Sequence, residues 1–150
     1  MVRGKFLMTV TLGFATLLLS SQAFAQADVI EKRQQAMKAN SADAKAIKAA
    51  VESKDFAIIE TKAKDIMGTA EKIPSLFPKG STQGKTKALP AIWEKPDEFA
   101  KDAKNLGRAA SELAAAAKAK DDAAIGEKVK ALSGACGGCH KAFRAEKYPE

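Results

Sequence analysis

The feature that most constrains this 150-residue chain is a five-residue segment near its C-terminus, Cys136-Gly137-Gly138-Cys139-His140. It contains both cysteines and the one histidine of the sequence. Cys-x-x-Cys-His is typical of c-type haem attachment, in which two thiols form thioethers with the porphyrin vinyl groups and the histidine binds the iron. The motif therefore predicts one haem c, attached covalently through Cys136 and Cys139, with His140 as the proximal ligand.

Three other interpretations of these cysteines are weaker. A thiol redox centre normally accompanies a strand–helix pattern, and the sequence has none. A closed structural zinc site needs four ligands, whereas two cysteines and one histidine supply three. A disulfide between residues three apart would close a very short loop and add little stability.

The first 25 residues are organised like a secretory signal peptide. Two cations are followed by an uncharged apolar run, residues 6–19, and Ala23-Phe24-Ala25 is a small-residue cleavage site. The alternative is a membrane anchor, but this run is shorter than the ~20 residues that span a bilayer. We expect removal of residues 1–25, export to the periplasm, and a mature single domain of residues 26–150 that does not insert into membranes.

The chain is basic, with 25 Lys and Arg against 18 Asp and Glu and a formal net charge of +7. Loss of Arg3 and Lys5 with the signal peptide lowers this charge to +5. The cations are interspersed with acids, whereas a nucleic-acid-binding protein usually shows a concentrated basic stripe. The charge therefore argues against nucleic acid and for redox partner proteins with acidic docking surfaces.

Four helices are predicted from apolar residues that recur at spacings of three and four. Asp28 and Asp55 are the candidate N-caps of the first and second helices. The predicted ranges are 28–52, 55–73, a third helix that begins at 96–97, and 121–146. The seam of the first helix contains two polar residues, and its members are Ile30, Arg33, Met37, Asn40, Ala44, Ile47 and Val51.

The apolar seam of the fourth helix runs through the cysteine motif. Cys136 and Cys139 are in phase with Leu132 before them and Phe143 after them. This spacing places the haem inside a helical bundle. Four such helices, without strand-like alternation, predict an all-α, antiparallel up-down-up-down four-helix bundle.

Residues 74–96 form a long connection between the second and third helices. It holds four of the five prolines, two glycines and several apolar residues, including Phe77 and Trp93. Long connections tend to be functional, and the apolar residues indicate that this one packs against the protein. It forms either a satellite hydrophobic cluster or a flap against the haem edge, and the sequence leaves both open.

The mature chain resembles the class II c-type cytochromes, the family of cytochrome c-prime and cytochrome c556. The resemblance rests on the C-terminal position of the Cys-Gly-Gly-Cys-His motif, on the Lys-Ala-Phe-Arg segment that follows it, on residues 33–37, and on Ile92-Trp93. It implies a haem held between the first and last helices. It also implies that Arg33 and Gln34 lie near the haem propionates, that Arg144 lies on the proximal side, and that Trp93 contributes to cofactor binding.

Met37 matches the position that faces the distal side of the iron in this family. The high-spin cytochromes c-prime leave that position open and bind gases such as nitric oxide, whereas the low-spin c556 proteins use methionine as a sixth ligand. Residues 31–40 and 73–78 are similar to c556, while Arg33 is more like the high-spin branch. The resemblance favours Met37 as an iron ligand; the alternative is that it only fills the core.

We therefore expect a c556-like carrier of single electrons rather than an enzyme. The alternative function is that of a five-coordinate cytochrome c-prime that binds nitric oxide or another small gas. A thiol oxidoreductase using Cys136 and Cys139 is a third hypothesis, which would require free thiols. Members of the family are often dimers, so a homodimer is a further expectation from the resemblance.

Overall fold

The computed structural model describes residues 13–148, with side chains from residue 27 onward. Over this range the protein is helical, and no strand forms apart from one isolated backbone bridge between Ala88 and Arg144. The elements are α1 (Gly13–Ser53), α2 (Phe56–Lys72), a 3-10 turn (Ile73–Leu76), the single-turn helix α3 (Ala91–Glu94), α4 (Pro96–Lys118) and α5 (Asp122–Phe143). The four long helices form the predicted antiparallel bundle.

The first helix begins earlier than the sequence pattern predicts. α1 starts at Gly13, and Asp28 lies inside it, where its carboxylate accepts a 2.6 Å hydrogen bond from Lys32 Nζ. The assignment of Asp28 as an N-cap is therefore wrong for this chain, because the preceding residues continue the helix. The first twelve residues of the predicted signal peptide lie outside the described part of the protein, and its removal stays a prediction. Among the described helices, none is long and apolar enough to cross a membrane.

The starts of the second and last helices are fixed by aspartate caps. Asp55 Oδ1 accepts a hydrogen bond from the Ile58 N–H at 3.1 Å, and Asp121 Oδ1 accepts one from the Ala124 N–H at 3.0 Å. Each cap satisfies a backbone donor that has no partner within its own helix. Both helix starts, and the start of α4 at Pro96, therefore agree with the sequence analysis.

The last helix ends three residues before the predicted end at residue 146. Arg144 is extended, with φ −130° and ψ 127°. The Ala145 N–H donates to the Lys87 carbonyl at 2.8 Å, and the Leu89 N–H donates to the Phe143 carbonyl at 3.0 Å. The chain leaves α5 here because its backbone groups find partners in the long connection.

The core follows the predicted seams closely in α2 and α4. The predicted residues that are buried there are Ile59, Ala63, Ile66, Ala70, Ile73, Phe99, Ala103, Leu106, Ala110, Leu113 and Ala117. In α1 the prediction fails at Ala44, which is exposed, while Met37 and Asn40 are half-buried. The Oδ1 atom of Asn40 is buried and has no hydrogen-bond donor among the described residues.

The uneven burial of α1 follows from how the helices are arranged. α1 packs on α2, α2 on α4, and α4 on α5, whereas the described parts of α1 and α5 make almost no close backbone contact with each other. The first and last helices therefore do not pack closely on each other, and the cysteine motif and Arg33 lie on these two helices.

Candidate functional site

The cysteine motif occupies the last two turns of α5. Cys136 and Cys139 are half-buried and pack against the hydrophobic core, and His140 is exposed at the next position. A Cβ atom at Gly137 or Gly138 would meet no other atom within 4 Å, so packing does not require glycine at either position. The two thiols thus share the inner face of α5, as their three-residue spacing predicts.

The protonation states of this segment suit metal binding better than thiol redox chemistry. Burial raises the pKa of the Cys136 thiol, and burial with the charge of Asp102 raises the pKa of Cys139 to about 11. Reactive redox cysteines instead have lowered pKa values. Burial and the charge of Arg144 lower the pKa of His140, which favours the neutral imidazole that binds metals. These directions argue against the thiol oxidoreductase hypothesis.

Arg33 is a buried cation on α1 whose hydrogen-bond partners are all uncharged. Its side chain is 3% exposed. Nη1 donates to Ser81 Oγ at 3.1 Å, and Nη2 donates to the Ser81 carbonyl at 3.0 Å and to Thr86 Oγ1 at 2.9 Å. The guanidinium lies 4.8 Å from the Phe77 ring centroid and 5.9 Å from that of Trp93. Burial lowers the pKa of Arg33.

This environment holds the guanidinium in place but does not neutralise it. None of the ion pairs between residues 27 and 148 includes Arg33. A buried charge without a counter-ion is costly. An anionic group beside Arg33 would lower that cost, and the carboxylate of a haem propionate has the required charge.

The other predicted residues on this side are held by the long connection. Gln34 Nε2 donates to the Lys85 carbonyl at 2.8 Å, and Trp93 Nε1 donates to the carbonyls of Phe77 and Pro78 at 3.1 and 2.9 Å. Met37 is one turn beyond Arg33, half-buried against the core. The structure therefore brings Arg33, Gln34 and Trp93 together.

The predicted site residues fall into two groups on the helices that stand apart. Arg33, Gln34 and Met37 lie on α1, whereas the motif and Arg144 lie at the end of α5. The connection is hydrogen-bonded to both groups, through Arg33 and Gln34 on one side and Phe143 and Ala145 on the other. Two thiols on α5 and a buried cation on α1 are the groups that a covalently attached, anionic macrocycle would use.

The long connection belongs to the main core rather than to a satellite cluster. Ile92 is buried in that core, and the Phe77 ring is 4.9 Å from the Phe99 ring, which is 5.2 Å from the Phe143 ring. The satellite interpretation is therefore wrong, and the flap interpretation stays a prediction.

Sequence reasoning missed the residues that hold Arg33. Ser81 and Thr86 are buried polar residues in a segment of glycine, lysine and glutamine, where nothing marks them for burial. The one available signal was Arg33 itself, because a cation in an apolar seam needs buried acceptors. That signal predicts acceptors without predicting where in the chain they lie.

Known proteins resemble this chain in both sequence and fold. The family of cytochrome c' matches residues 28–144. Cytochrome c' from Pararhodospirillum photometricum is 40% identical over 118 residues, which are 77% of this chain and 94% of that protein. Cytochrome c' from Rhodospirillum rubrum is 36% identical over 95% of this chain and 99% of that protein. A cytochrome c-556 from Agrobacterium fabrum is 32% identical over 94% of this chain and 97% of that protein.

Solved structures of cytochromes c' are also similar to this chain. The crystal structure of cytochrome c' from Thermochromatium tepidum superposes with a TM-score of 0.75 at 27% identity, covering 81% of this chain and 97% of that one. Cytochrome c' from Rhodopseudomonas palustris gives a TM-score of 0.72 at 33% identity, covering 80% and 98%. The chain therefore belongs to the cytochrome c' family of electron-carrying four-helix-bundle proteins with covalent haem c, and Cys136 and Cys139 fit the family's attachment motif.

Proposed function

We propose that this cytochrome holds a five-coordinate, high-spin haem c, with His140 as the one protein ligand, and that its distal side binds nitric oxide or another small gas. This is the alternative of the sequence analysis rather than the Met37-ligated carrier that the sequence favoured. The similarity to cytochromes c' carries the proposal. The side chain of Met37 lies half-buried against the hydrophobic core, which is compatible with a packing role. Unbranched methionine is well suited to filling such irregular gaps.

The relatives support the same choice. Two cytochromes c' are 40% and 36% identical over 77% and 95% of this chain, whereas three cytochromes c-556 are 32–38% identical over 62–94% of it. Arg33, the feature that resembled the high-spin branch, is also the most completely buried polar residue in the part of α1 from residue 27 onward.

In this proposal the haem supplies a one-electron ferric/ferrous couple and an open coordination position. Cys136 and Cys139 fix the macrocycle, and His140, with its pKa lowered by burial, offers a neutral nitrogen. Arg33 and Gln34 would hold the polar edge, where the buried guanidinium would pair with a propionate. Trp93 would contribute to cofactor binding, and Arg144 would lie on the proximal side. Met37 and the core around it exclude water from the distal side.

The protein would work outside the cytoplasm as a mature chain that begins at Gln26, because its family is periplasmic and residues 1–25 have the pattern of a signal peptide. One solved relative, 25% identical, is described as a cytochrome c' with ligand-controlled dimer dissociation. A homodimer is therefore proposed here too. Ile58, 44% exposed on α2, is available for such a contact.

The test of five-coordination is a comparison of Met37→Leu with the parent holoprotein. Leucine fills similar volume at a usual cost under about 1.5 kcal/mol but cannot ligate iron. We expect parent and variant to share high-spin optical spectra in both oxidation states and equally fast carbon monoxide binding. Met67→Leu, at a half-buried methionine of α2, is the packing control.

The opposite result is equally clear. A parent that is low-spin and binds carbon monoxide slowly, together with a Met37→Leu variant that is high-spin and binds it quickly, would identify Met37 as the sixth ligand. The protein would then be a c556-like carrier, and the gas-binding proposal would fail.

A further inference from the structure

The net charge of the mature chain is concentrated in two segments that are distant in sequence. Residues 73–93 contain Lys79, Lys85 and Lys87 and no acid, and residues 140–148 contain two lysines and Arg144 against one glutamate. Their combined excess of five positive charges equals the +5 of residues 26–150. The remainder of the mature chain is therefore neutral overall.

The fold joins these two segments edge to edge. The Ala145 N–H donates to the Lys87 carbonyl at 2.8 Å, the Leu89 N–H donates to the Phe143 carbonyl at 3.0 Å, and Ala88 forms an antiparallel bridge with Arg144. The segment after α5 thus runs beside the basic part of the long connection. Two weakly basic segments become one strongly basic surface.

Lys85, Lys87 and Tyr148 have side chains in contact at this junction, and the exposed cations Arg144 and Lys147 lie on the same joined segments. We call these five residues the C-terminal basic patch. The Nζ atoms of Lys85 and Lys87 lie 5.6 and 4.9 Å from the centroid of the Tyr148 ring, which is 45% exposed. Lys87 Nζ also donates to the Glu146 carbonyl at 2.6 Å. An exposed aromatic ring is therefore held between cations.

Between residues 27 and 148, no acid forms an ion pair with the charges of the patch. The ion pairs formed between residues 27 and 148 use lysines at 32, 54, 62, 64, 95 and 128, and none of these belongs to the patch. Uncompensated charges on one face attract oppositely charged partners and raise association rates by roughly 10- to 1000-fold at low salt.

The patch also adjoins the haem-binding elements. The Arg144 N–H donates to the His140 carbonyl at 3.0 Å, and the Lys85 carbonyl accepts a hydrogen bond from Gln34 on α1. A protein bound at the patch would lie beside the segment that carries the motif. Docking there offers a shorter path to the iron than docking at the opposite end of the bundle.

We propose that the C-terminal basic patch is the docking surface for an acidic one-electron-transfer protein, an inference that rests on the haem function proposed above. In the productive complex the partner would be oxidised by one electron, which the haem-loaded protein would accept through its ferric/ferrous couple, while the patch residues hold the two proteins together. Long-range charge attraction sets the encounter rate, and the Tyr148 ring provides the contact area at the centre.

The experiment measures reduction of the ferric holoprotein by an acidic flavodoxin in its hydroquinone form, by stopped flow, over a series of salt concentrations. The double variant Lys85→Glu/Lys87→Glu is compared with Lys48→Glu/Lys118→Glu, which changes the net charge equally. Lys48 and Lys118 are exposed and lie towards the other end of the bundle, near the α1–α2 and α4–α5 turns.

At low salt we expect the patch variant to lower the second-order rate constant at least tenfold and the control variant to lower it less than threefold, with the difference lost near 0.5 M salt, where charges are screened. Reduction by a neutral free flavin should be the same for all three proteins. Lys147→Glu is a second variant that leaves the anchoring bond of Lys87 intact, and it should lower the rate in the same direction.

Equal losses in the patch and control variants would show that only net charge matters and would overturn the proposal. So would patch-dependent binding to phosphatidylserine vesicles without any effect on the flavodoxin reaction, because the patch would then be a membrane contact. The spin state and carbon monoxide kinetics of the same proteins test the iron separately. A six-coordinate iron would therefore refute gas binding without affecting the docking result.

Discussion

Arg33 shows how far single residues can be understood from the sequence. Its place in an apolar seam predicts a special role, and the cysteine motif defines its own chemistry because the spacing of its ligands is local. The partners of Arg33 could not be predicted, since Ser81 and Thr86 are 48 and 53 residues away and are brought to it by an irregular connection. Residues whose partners are close in the chain are predictable; those held by loop geometry are not.

Thr86 offers a direct test of the hydrogen bonds that hold Arg33. Its Oγ1 accepts hydrogen bonds from Arg33 and from the Ala88 N–H. Thr86→Val keeps the shape but leaves two buried donors without this acceptor, so we expect the holoprotein to lose about 1–3 kcal/mol in free energy of unfolding by denaturant titration. Thr61→Val, on the exposed face of α2, is the control and should change the stability by less than about 0.5 kcal/mol. Equal effects of the two substitutions would contradict a stabilising role for the hydrogen bonds to Thr86.

At the scale of elements, the helices were predictable and the connection was not. Seams of apolar residues identify α2, α4 and α5, and the caps Asp55 and Asp121 place two of their starts correctly. The end of α5 was predicted too late because Phe143 and Ala145 form backbone hydrogen bonds with a segment more than fifty residues earlier. Helix ends that depend on such distant partners leave no local signal.

Two turns between long helices, after α1 and after α4, contain a strained backbone conformation that a substitution can relieve. Lys54 and Lys120 have positive φ values of 55° and 54°, a conformation that costs an L-residue about 1–2 kcal/mol. We expect Lys120→Gly to raise the unfolding free energy of the holoprotein, by roughly 0.5–1 kcal/mol after the entropy of glycine is considered. Lys118→Gly, inside the last turn of α4, removes the same charge and should instead destabilise by a similar amount. Destabilisation by both variants would show that the turn at Lys120 is not strained.

For the whole molecule, the composition predicted the excess of positive charge but not the position of that charge on the surface. The excess of lysine and arginine indicated acidic partners, but the cations looked evenly mixed with acids. Only the pairing of residues 85–89 with 143–145 gathers the net charge on one face. The antiparallel arrangement of the last two helices was predictable from the short turn between them, whereas the separation of α1 from α5 was not.

That separation predicts how the chain behaves without haem. Because α1 and α5 make almost no close backbone contact in the described structure, a haem bound between them would add contacts that the protein alone lacks, and we expect a chain that never received it to be partly unfolded. The thiols of such a chain report its state. In the native fold the Cys139 pKa of about 11 would keep its thiolate roughly a hundredfold scarcer at neutral pH than that of a solvent-exposed thiol, whose ordinary pKa is 9.0.

We therefore expect the haem-free chain, expressed without attachment, to react with iodoacetamide at nearly the same rate with and without 6 M urea. The holoprotein should not react at all, since its cysteines are thioethers. As the control, the Cys136→Ala/Cys139→Ala chain should give the same broad, weakly cooperative thermal transition by circular dichroism while taking up no label. Labelling that is strongly suppressed until urea is added, together with a sharp melt as high as that of the holoprotein, would mean that α2 and α4 hold the bundle together without the haem.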